Sequence, residues 1–115
     1  MYYQIILPHH WSVQGSFPTF DPNEEHVTKE QYTRWLTEDL WSAMSPDGQF
    51  IVDIVWYPAA APQGEFIARL VQNEEWTEAR EVLQTASLID VLAWTMAMVL
   101  MVEREGTQGS LLFEN

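Results

Sequence analysis

The chain has 115 residues, 47% of them hydrophobic, with six Trp, five Phe and four Tyr, a length and composition that predict a single globular domain over residues 1–115. Seventeen acidic residues oppose five basic ones, giving a net charge of −12, which disfavours binding to nucleic acid or anionic membranes and favours basic partners. The absence of Cys excludes disulfides and thiolate metal sites, and it is typical of a reducing compartment, so we expect a cytoplasmic protein.

The first 27 residues predict one short strand followed by a loop. Residues 2–7 alternate in the manner of a strand. Gly and Pro residues then interrupt the chain repeatedly, which predicts a long loop over residues 8–27. Three aromatic residues in this loop are expected to attach it to the body of the protein, and they are Trp11, Phe17 and Phe20.

A helix is predicted after this loop. Thr28 and Gln31 have the spacing of a capping box, in which each side chain accepts a hydrogen bond from the other residue's backbone amide. Apolar residues then recur at helical spacing to about Met44, and Ser45-Pro46-Asp47-Gly48 ends the pattern. Trp41 falls outside the apolar face, which predicts that it is a rim residue or an exposed anchor.

The middle of the chain predicts an antiparallel hairpin. Asp47-Gly48 leads into a strand over residues 49–57, and both faces of that strand are largely apolar, as in the centre of a sheet. Residues 58–64 (PAAAPQG) then connect it to a second strand over residues 65–72.

Residues 73–85 allow two interpretations. They form either an amphipathic helix capped by Asn73, or a turn at Asn73-Glu74 followed by a third antiparallel strand over residues 79–85. We adopt the strand, because a short meander leaves Ser87 free to begin a new helix.

The stretch Leu88–Val102 (LIDVLAWTMAMVLMV) predicts a helix with only two polar residues. Ser87 is a suitable N-cap, and Gly106 is a natural residue to follow the helix end. The tail, residues 106–115, then adds an edge strand or packs down. The apolar stretch is shorter than the roughly 20 residues that span a bilayer, so no membrane partner is expected.

A helix that is apolar on all sides must be covered on more than one side. We therefore expect an α+β fold, in which a small antiparallel sheet of about four strands packs against two α-helices. If the helix that begins at Thr28 covers the free flank of Leu88–Val102, a monomer buries it. Otherwise Trp94 and Met101 lie at a homodimer or partner interface. We favour the first arrangement.

No motif of a known catalytic class is present, so we predict no enzyme activity, no cofactor and no metal. The one candidate metal cluster combines loop histidines with nearby acids, namely His9, His10, His26, Asp21, Glu24 and Glu25. Adjacent His side chains on an extended chain point in opposite directions, which disfavours convergence on one ion. Asp53 and Glu65 are the only candidate acid–base pair, and acids near strand ends are more typically solvated.

The most distinctive candidate surface is an acidic segment around a Trp. Acids steer a basic partner into contact, and a large aromatic side chain supplies contact area. The segment consists of Glu74, Glu75, Trp76, Glu78 and Glu81. Trp41, Trp94 and Met101 complete the predicted partner-binding residues. The alternative is a charged turn whose Trp packs into the core.

Several short motifs in residues 28–102 resemble the immunity proteins of bacterial polymorphic-toxin and contact-dependent-inhibition systems. The resemblance rests on the capped helix at Thr28, Asp47-Gly48 before a hairpin, Leu70-Val71-Gln72-Asn73, Glu75-Trp76, and Ser87-Leu88-Ile89-Asp90 at the start of the last helix. It implies a non-enzymatic protein that binds a cognate toxin, often a basic nuclease, and it implies no catalytic residues.

The expected function is therefore that of a protein-binding inhibitor or immunity protein with a basic protein partner. Two alternatives remain open. One is a homodimeric structural or accessory protein that uses the apolar last helix as its interface. The other is an acidic mimic of nucleic acid, which requires carboxylates spaced like phosphates along one face.

Overall fold

The computed structural model describes the backbone of residues 7, 8, 10–22, 27–36 and 39–114, and the side chains as far as Glu105. In chain order the elements are β1 (Ser12–Gly15), α1 (Lys29–Trp35), β2 (Trp41–Met44), β3 (Phe50–Tyr57), β4 (Glu65–Gln72), β5 (Glu81–Thr85) and α2 (Leu88–Glu114). The predicted α+β class is confirmed, and the sheet in this part of the chain has five strands where about four were expected.

The sheet is an antiparallel meander with the strand order β1-β2-β3-β4-β5. The predicted strands at 49–57 and 65–72 are confirmed as β3 and β4. Between β4 and β5, Asn73 and Glu74 both have positive φ, at 54° and 61°, and the Glu75 amide donates to the Gln72 carbonyl at 3.1 Å. This is the tight turn of the strand interpretation, so the third strand is confirmed as β5 and the alternative helix over residues 73–85 is wrong.

The helix predicted from Thr28 to about Met44 is shorter than expected. Its capping box is confirmed, since the Gln31 amide donates to Thr28 Oγ1 at 3.2 Å and the Thr28 amide donates to Gln31 Oε1 at 2.8 Å. The helix ends at Trp35, and Trp41–Met44 forms β2 instead. Because β2 pairs with the central strand β3, its backbone groups gain sheet hydrogen bonds in place of helical ones.

Trp41 is a core residue. Its side chain is only 6% exposed, and its ring centroid lies 5.0 Å from that of Phe17. The prediction of a rim residue or exposed anchor is therefore wrong. The cause is the change of secondary structure, since alternate residues of a strand face opposite sides and Trp41 shares the inner side with Ala43.

The predicted long loop contains an edge strand, β1, which pairs with β2. Gly15 has φ +85°, and a Cβ at this position would overlap the Leu40 carbonyl oxygen, so only glycine fits the close approach of the two strands. The expected attachment of the loop is confirmed, since Trp11, Phe17 and Phe20 are buried. Residues 2–6 of the predicted first strand lie outside the described residues.

One face of the sheet carries the hydrophobic core. It is formed by alternate residues of β3 and β4, namely Phe50, Val52, Ile54, Trp56, Phe66, Ala68 and Leu70. α2 lies on this face over β3, β4 and β5, and its buried stripe has helical spacing through Leu88, Val91, Thr95, Val99 and Val102. We call this the core face.

α1 does not lie beside α2, contrary to the arrangement we favoured. In the described chain, α2 makes its close backbone contacts with strands, whereas α1 covers the Trp56 end of the core, where the Tyr32 and Trp56 rings are 6.1 Å apart. The loop attaches to α2 instead, because Trp11 Nε1 donates to Glu103 Oε1 at 2.6 Å.

α2 continues beyond the predicted end. It is helical to Glu114, so the expectation of a helix end near Gly106 and of an edge strand in the tail is wrong. Gly costs about 1 kcal/mol relative to Ala inside a helix, and the surrounding Glu, Gln and Leu residues are favourable helix formers that offset it. None of the described helices combines the length and apolarity needed to cross a membrane.

Candidate partner-binding surface

The second face of the sheet points away from the core, and we call it the open face. Its side chains come from the alternate positions of the same strands. Those that are half-buried or exposed are Ser42, Ile51, Asp53, Val55, Tyr57, Ile67, Arg69 and Val82, whereas Val71, which pairs with Ile51, is fully buried. No described helix lies over these strands on this side, because α2 occupies the core face. The alternation predicted for β3 therefore separates a fully buried face from one whose β3 side chains are half-buried or exposed.

Trp76 lies on this open face. It belongs to the β4–β5 connection, residues 73–80, and its side chain is 43% exposed. The Arg69 guanidinium carbon lies 5.4 Å from the centre of the Trp76 ring, within the range of a cation–π contact. Arg69 Nη2 also donates to Asp53 Oδ2 at 3.0 Å. The sheet thus positions Trp76 through Arg69, and Arg69 through its cross-strand neighbour Asp53.

The arrangement around Arg69 leaves one polar atom without a partner. Its Nε is buried and has no hydrogen-bond acceptor among the described residues. The rest of the guanidinium serves two contacts, since Nη2 pairs with Asp53 and the guanidinium carbon lies over the Trp76 ring.

A groove of about 360 Å³ runs beside Trp76. Its lining mixes aromatic, aliphatic and acidic side chains, which are Asp39, Asp53, Val55, Tyr57, Ile67, Arg69 and Trp76. A neighbouring groove of about 340 Å³ shares Asp39 and Asp53 and continues across Ser42 to Gln14. Tyr57 is 62% exposed. Two exposed aromatic residues and two carboxylates therefore border one continuous concave surface.

The acids of the β4–β5 connection extend the negative surface beside Trp76. Glu74, Glu75 and Glu78 are exposed, whereas the exposed Glu81 pairs with Leu70 and so lies on the core-face side of β5. The connection is fixed at its end by Arg80, whose two terminal nitrogens donate to the two oxygens of Glu105 on α2 at 3.0 and 2.5 Å. This hydrogen bonding raises the pKa of Arg80. The acidic segment thus lies on a connection anchored at its end.

The predicted partner-binding residues do not form one surface. Trp76 and the four Glu residues of the acidic segment lie together on one hairpin, as their spacing indicated. Trp41 is in the core, and the half-buried Trp94 and Met101 lie on α2, packed against the core cluster. The sequence interpretation missed Tyr57, although it alternates with the buried Trp56 and so belongs to the opposite face.

The candidate acid–base pair is not assembled. Asp53 faces Arg69 across the strands, and Glu65 faces Tyr57. Glu65 is four residues from Arg69 along β4, which corresponds to about 13 Å. The two carboxylates are therefore too far apart to share a proton or one reacting bond.

The metal candidate falls largely on residues outside the description, namely His9, Glu24, Glu25 and His26. Of its remaining members, His10 and Asp21 belong to no group of three metal-binding side chains within the described chain.

Comparisons with protein-family models, curated proteins and solved structures found no match for this chain. Functional inference therefore depends on the surface itself and on the short motifs that resemble immunity proteins.

Proposed function

We propose that this chain is a non-enzymatic, cytoplasmic protein-binding protein that captures a basic protein through the open face. The observation that carries the proposal is the groove in which Trp76 and Tyr57 stand beside Asp39 and Asp53. Exposed aromatic residues in a concave surface are typical energetic anchors of protein interfaces. On such a surface a partner can bury the two aromatic side chains, which a purely charged, solvated surface would not allow.

Charge indicates the chemistry of the partner. The chain carries −12, and the exposed Glu74, Glu75 and Glu78 are next to Trp76 in sequence. Complementary charge accelerates the encounter of two proteins and disfavours partners of like charge. A basic protein that inserts Lys or Arg side chains beside Trp76 would pair with the exposed carboxylates of Glu74, Glu75 and Glu78 and would contact the aromatic ring.

The form of this function that we propose is toxin neutralisation. The resemblance of residues 28–102 to immunity proteins supports it, since such proteins bind a basic toxin such as a nuclease and block its active site or an adjacent surface. The expected partner is then a toxin encoded by the neighbouring gene.

The test is a calorimetric titration of this chain with the purified product of the adjacent gene, together with a growth assay in which the two are co-expressed. We expect a tight complex and protection from growth arrest. Trp76→Ala should weaken binding by about thirtyfold, the effect of removing an interface anchor worth about 2 kcal/mol. Val13→Ala, which trims an exposed residue of the edge strand β1, is the matched control and should leave affinity unchanged.

Charge is tested separately. The triple variant Glu74→Gln, Glu75→Gln, Glu78→Gln should slow association and remove most of its salt dependence, whereas Glu30→Gln on α1 should not. An adjacent gene product that is acidic, or that binds Trp76→Ala as well as the parent chain, contradicts the proposal.

The nucleic-acid mimic gives a different pattern. In that case charge alone carries binding, so the triple Gln variant loses affinity while Trp76→Ala retains it. Duplex DNA would also compete for the same site on the partner.

A further inference from the structure

α2 has a second surface that the core does not use. Its buried stripe occupies one side of the helix, and the opposite side carries the exposed residues Ile89, Asp90, Ala93, Ala97, Leu100 and Arg104. We call this the outer strip. Ile89 and Leu100 are 66% and 57% exposed, so this side of the helix presents large apolar side chains to solvent. The strip lies on the far side of α2 from the sheet, so it is separate from the open face and from the proposed function.

We propose that the outer strip pairs with the outer strip of a second copy of this chain, with the two α2 helices antiparallel and crossing at Ala97. Identical surfaces pair through a two-fold axis when they are self-complementary. Both the charges and the side-chain sizes of the strip have this property.

The charges match in the antiparallel orientation only. Asp90 and Arg104 lie seven residues on either side of Ala97, or about 10 Å along the axis in each direction. An antiparallel pair centred on Ala97 therefore places Asp90 of each copy opposite Arg104 of the other. A parallel pair would instead place Asp90 opposite Asp90 and Arg104 opposite Arg104, which is repulsive.

The sizes match as well. Ala97 lies on the two-fold axis, where a small side chain allows the two backbones to approach. Leu100 of one copy falls opposite Ala93 of the other, so a large side chain meets a small one on each side of the axis. The pairing thus covers Ala93, Ala97 and Leu100 with the same residues of the second copy, and Asp90 and Arg104 pair at its ends, with Ile89 lying beyond them.

The orientation is tested by disulfide trapping. The chain has no Cys, so a single introduced Cys reports on its own symmetry mate. Ala97→Cys should form an intermolecular disulfide on mild oxidation, because on-axis residues come within bonding distance. Ala93→Cys should not, because the two copies of residue 93 would be about 12 Å apart along the axis. Trapping of both variants would indicate parallel pairing, and trapping of neither would indicate no pairing; each result overturns the proposal.

The charge pairing is tested by sedimentation of the full chain at micromolar concentration. The parent chain should sediment as a dimer. Asp90→Arg makes the chain less negative and so reduces general repulsion, yet it should weaken the dimer at least about tenfold, as should Arg104→Asp. The double exchange, Asp90→Arg with Arg104→Asp, should recover the dimer. A parent chain that remains monomeric, or a double variant no better than the singles, overturns the proposal.

Folding and function are checked in the same variants. The far-ultraviolet circular dichroism spectrum of Arg104→Asp, a substitution on the exposed side of α2, should match that of the parent chain and so exclude loss of fold, while its melting temperature should fall only by the amount that lost dimerisation accounts for. Leu100→Glu should be monomeric and should still bind the basic partner through the open face. Failure of either proposal is therefore distinguishable from failure of the other.

Discussion

The two faces of the sheet are built from alternate residues of the same strands and have opposite chemistry. On the core face, Trp56 is 1% exposed, and its ring meets Phe66 edge-on at a centroid distance of 4.9 Å. On the open face, Trp76 stands over Arg69 at the margin of a groove. Tryptophan thus packs in the core on one face of the sheet, and on the other face it remains available for contact with a partner.

The difference lies in what surrounds each ring. Trp56 Nε1 donates to the Ala61 carbonyl at 2.9 Å, and apolar side chains fill the rest of its surroundings. Trp76 has a charged neighbour whose position depends on an ion pair. Removing a buried ring leaves a cavity, whereas removing an exposed one leaves solvent. We therefore expect the core face to control stability and the open face to control binding.

Matched Trp substitutions give the largest test of this division. Trp56→Ala should lower the free energy of unfolding by about 3–5 kcal/mol, through lost burial and a residual cavity. Trp76→Ala should lower it by less than about 1 kcal/mol. Chemical denaturation of both variants measures the difference. Equal losses of stability would contradict the division of roles between the faces.

Substitutions at two glycines separate the effect of core packing from that of backbone conformation. At Gly64 an added Cβ would lie 2.5 Å from Trp56 Nε1 and 2.9 Å from the Tyr57 carbonyl oxygen. Gly64→Ala should therefore destabilise the protein by about 1–3 kcal/mol through overpacking. Gly48 has open space around it but φ +74°, so Gly48→Ala should cost about 1 kcal/mol through backbone conformation alone.

A smaller aromatic side chain at position 56 distinguishes the two glycine variants. Replacing Trp56 by Phe should reduce the effect of Gly64→Ala and leave that of Gly48→Ala unchanged. Simple additivity at both sites would show that Gly64 does not act through the Trp56 ring.

The part of the fold from β3 to α2 could be predicted because each connection has its own sequence signal. Asp47-Gly48, the segment PAAAPQG and Asn73-Glu74 mark the turns, and Ser87 caps α2, where its Oγ accepts from the Asp90 amide at 3.2 Å. Between these turns, side chains of a strand alternate between the two faces of the sheet, and this alternation predicted which residues of β3 face the core.

The N-terminal third could not be predicted in the same way. Trp41 and Ala43 fit a strand, yet Leu40, Ala43 and Met44 also continue the helical spacing that begins at Tyr32, so periodicity alone did not separate strand from helix. A stronger signal was the turn at Asp47-Gly48, which implies a strand on each side of it. β1 has no apolar alternation, because it is an exposed edge strand that is held mainly through pairing with β2.

The candidate site was predictable only where its residues are close in sequence. Glu74, Glu75, Trp76 and Glu78 share one hairpin, so their proximity follows from the chain itself. Asp39 and Tyr57 join Trp76 only through the folding of the meander. Their contribution depends on strand register, and no local pattern specifies it.

The β2–β3 turn gives a smaller effect that depends on pH. Asp47 Oδ1 accepts hydrogen bonds from Ser45 Oγ at 2.6 Å and from the Gln49 amide at 3.0 Å. These hydrogen bonds lower the pKa of Asp47 below its usual 3.8, and the bond from Ser45 has the larger effect. The stabilisation is therefore fully present above pH 3.8 and is lost as pH falls through the lower folded-state pKa.

Asp47→Asn should accordingly cost less than about 1 kcal/mol at neutral pH, because solvent screens this exposed carboxylate, and the difference from the parent chain should shrink in acid below that range. Denaturation curves recorded across the acid range test this expectation. In the Ser45→Ala background the effect of Asp47→Asn should be smaller, because its strongest donor is absent. A pH-independent difference would show that the carboxylate charge is not the stabilising feature.

The smallest stability effect is expected for the ion pair of the open face, and it distinguishes most sharply between folding and binding. The side chains of Asp53 and Arg69 are 16% and 32% exposed, so their coupling in a double-mutant cycle should be about 0.5 kcal/mol. The double variant Asp53→Leu, Arg69→Leu replaces a partly buried ion pair with apolar side chains, and it should be as stable as the parent chain or more so. The same variant should lose affinity for the basic partner, because Trp76 loses the cation that positions its ring. A variant that keeps its stability and loses binding would show that the open face retains these two charges for recognition, whereas a large loss of stability would place them in the fold.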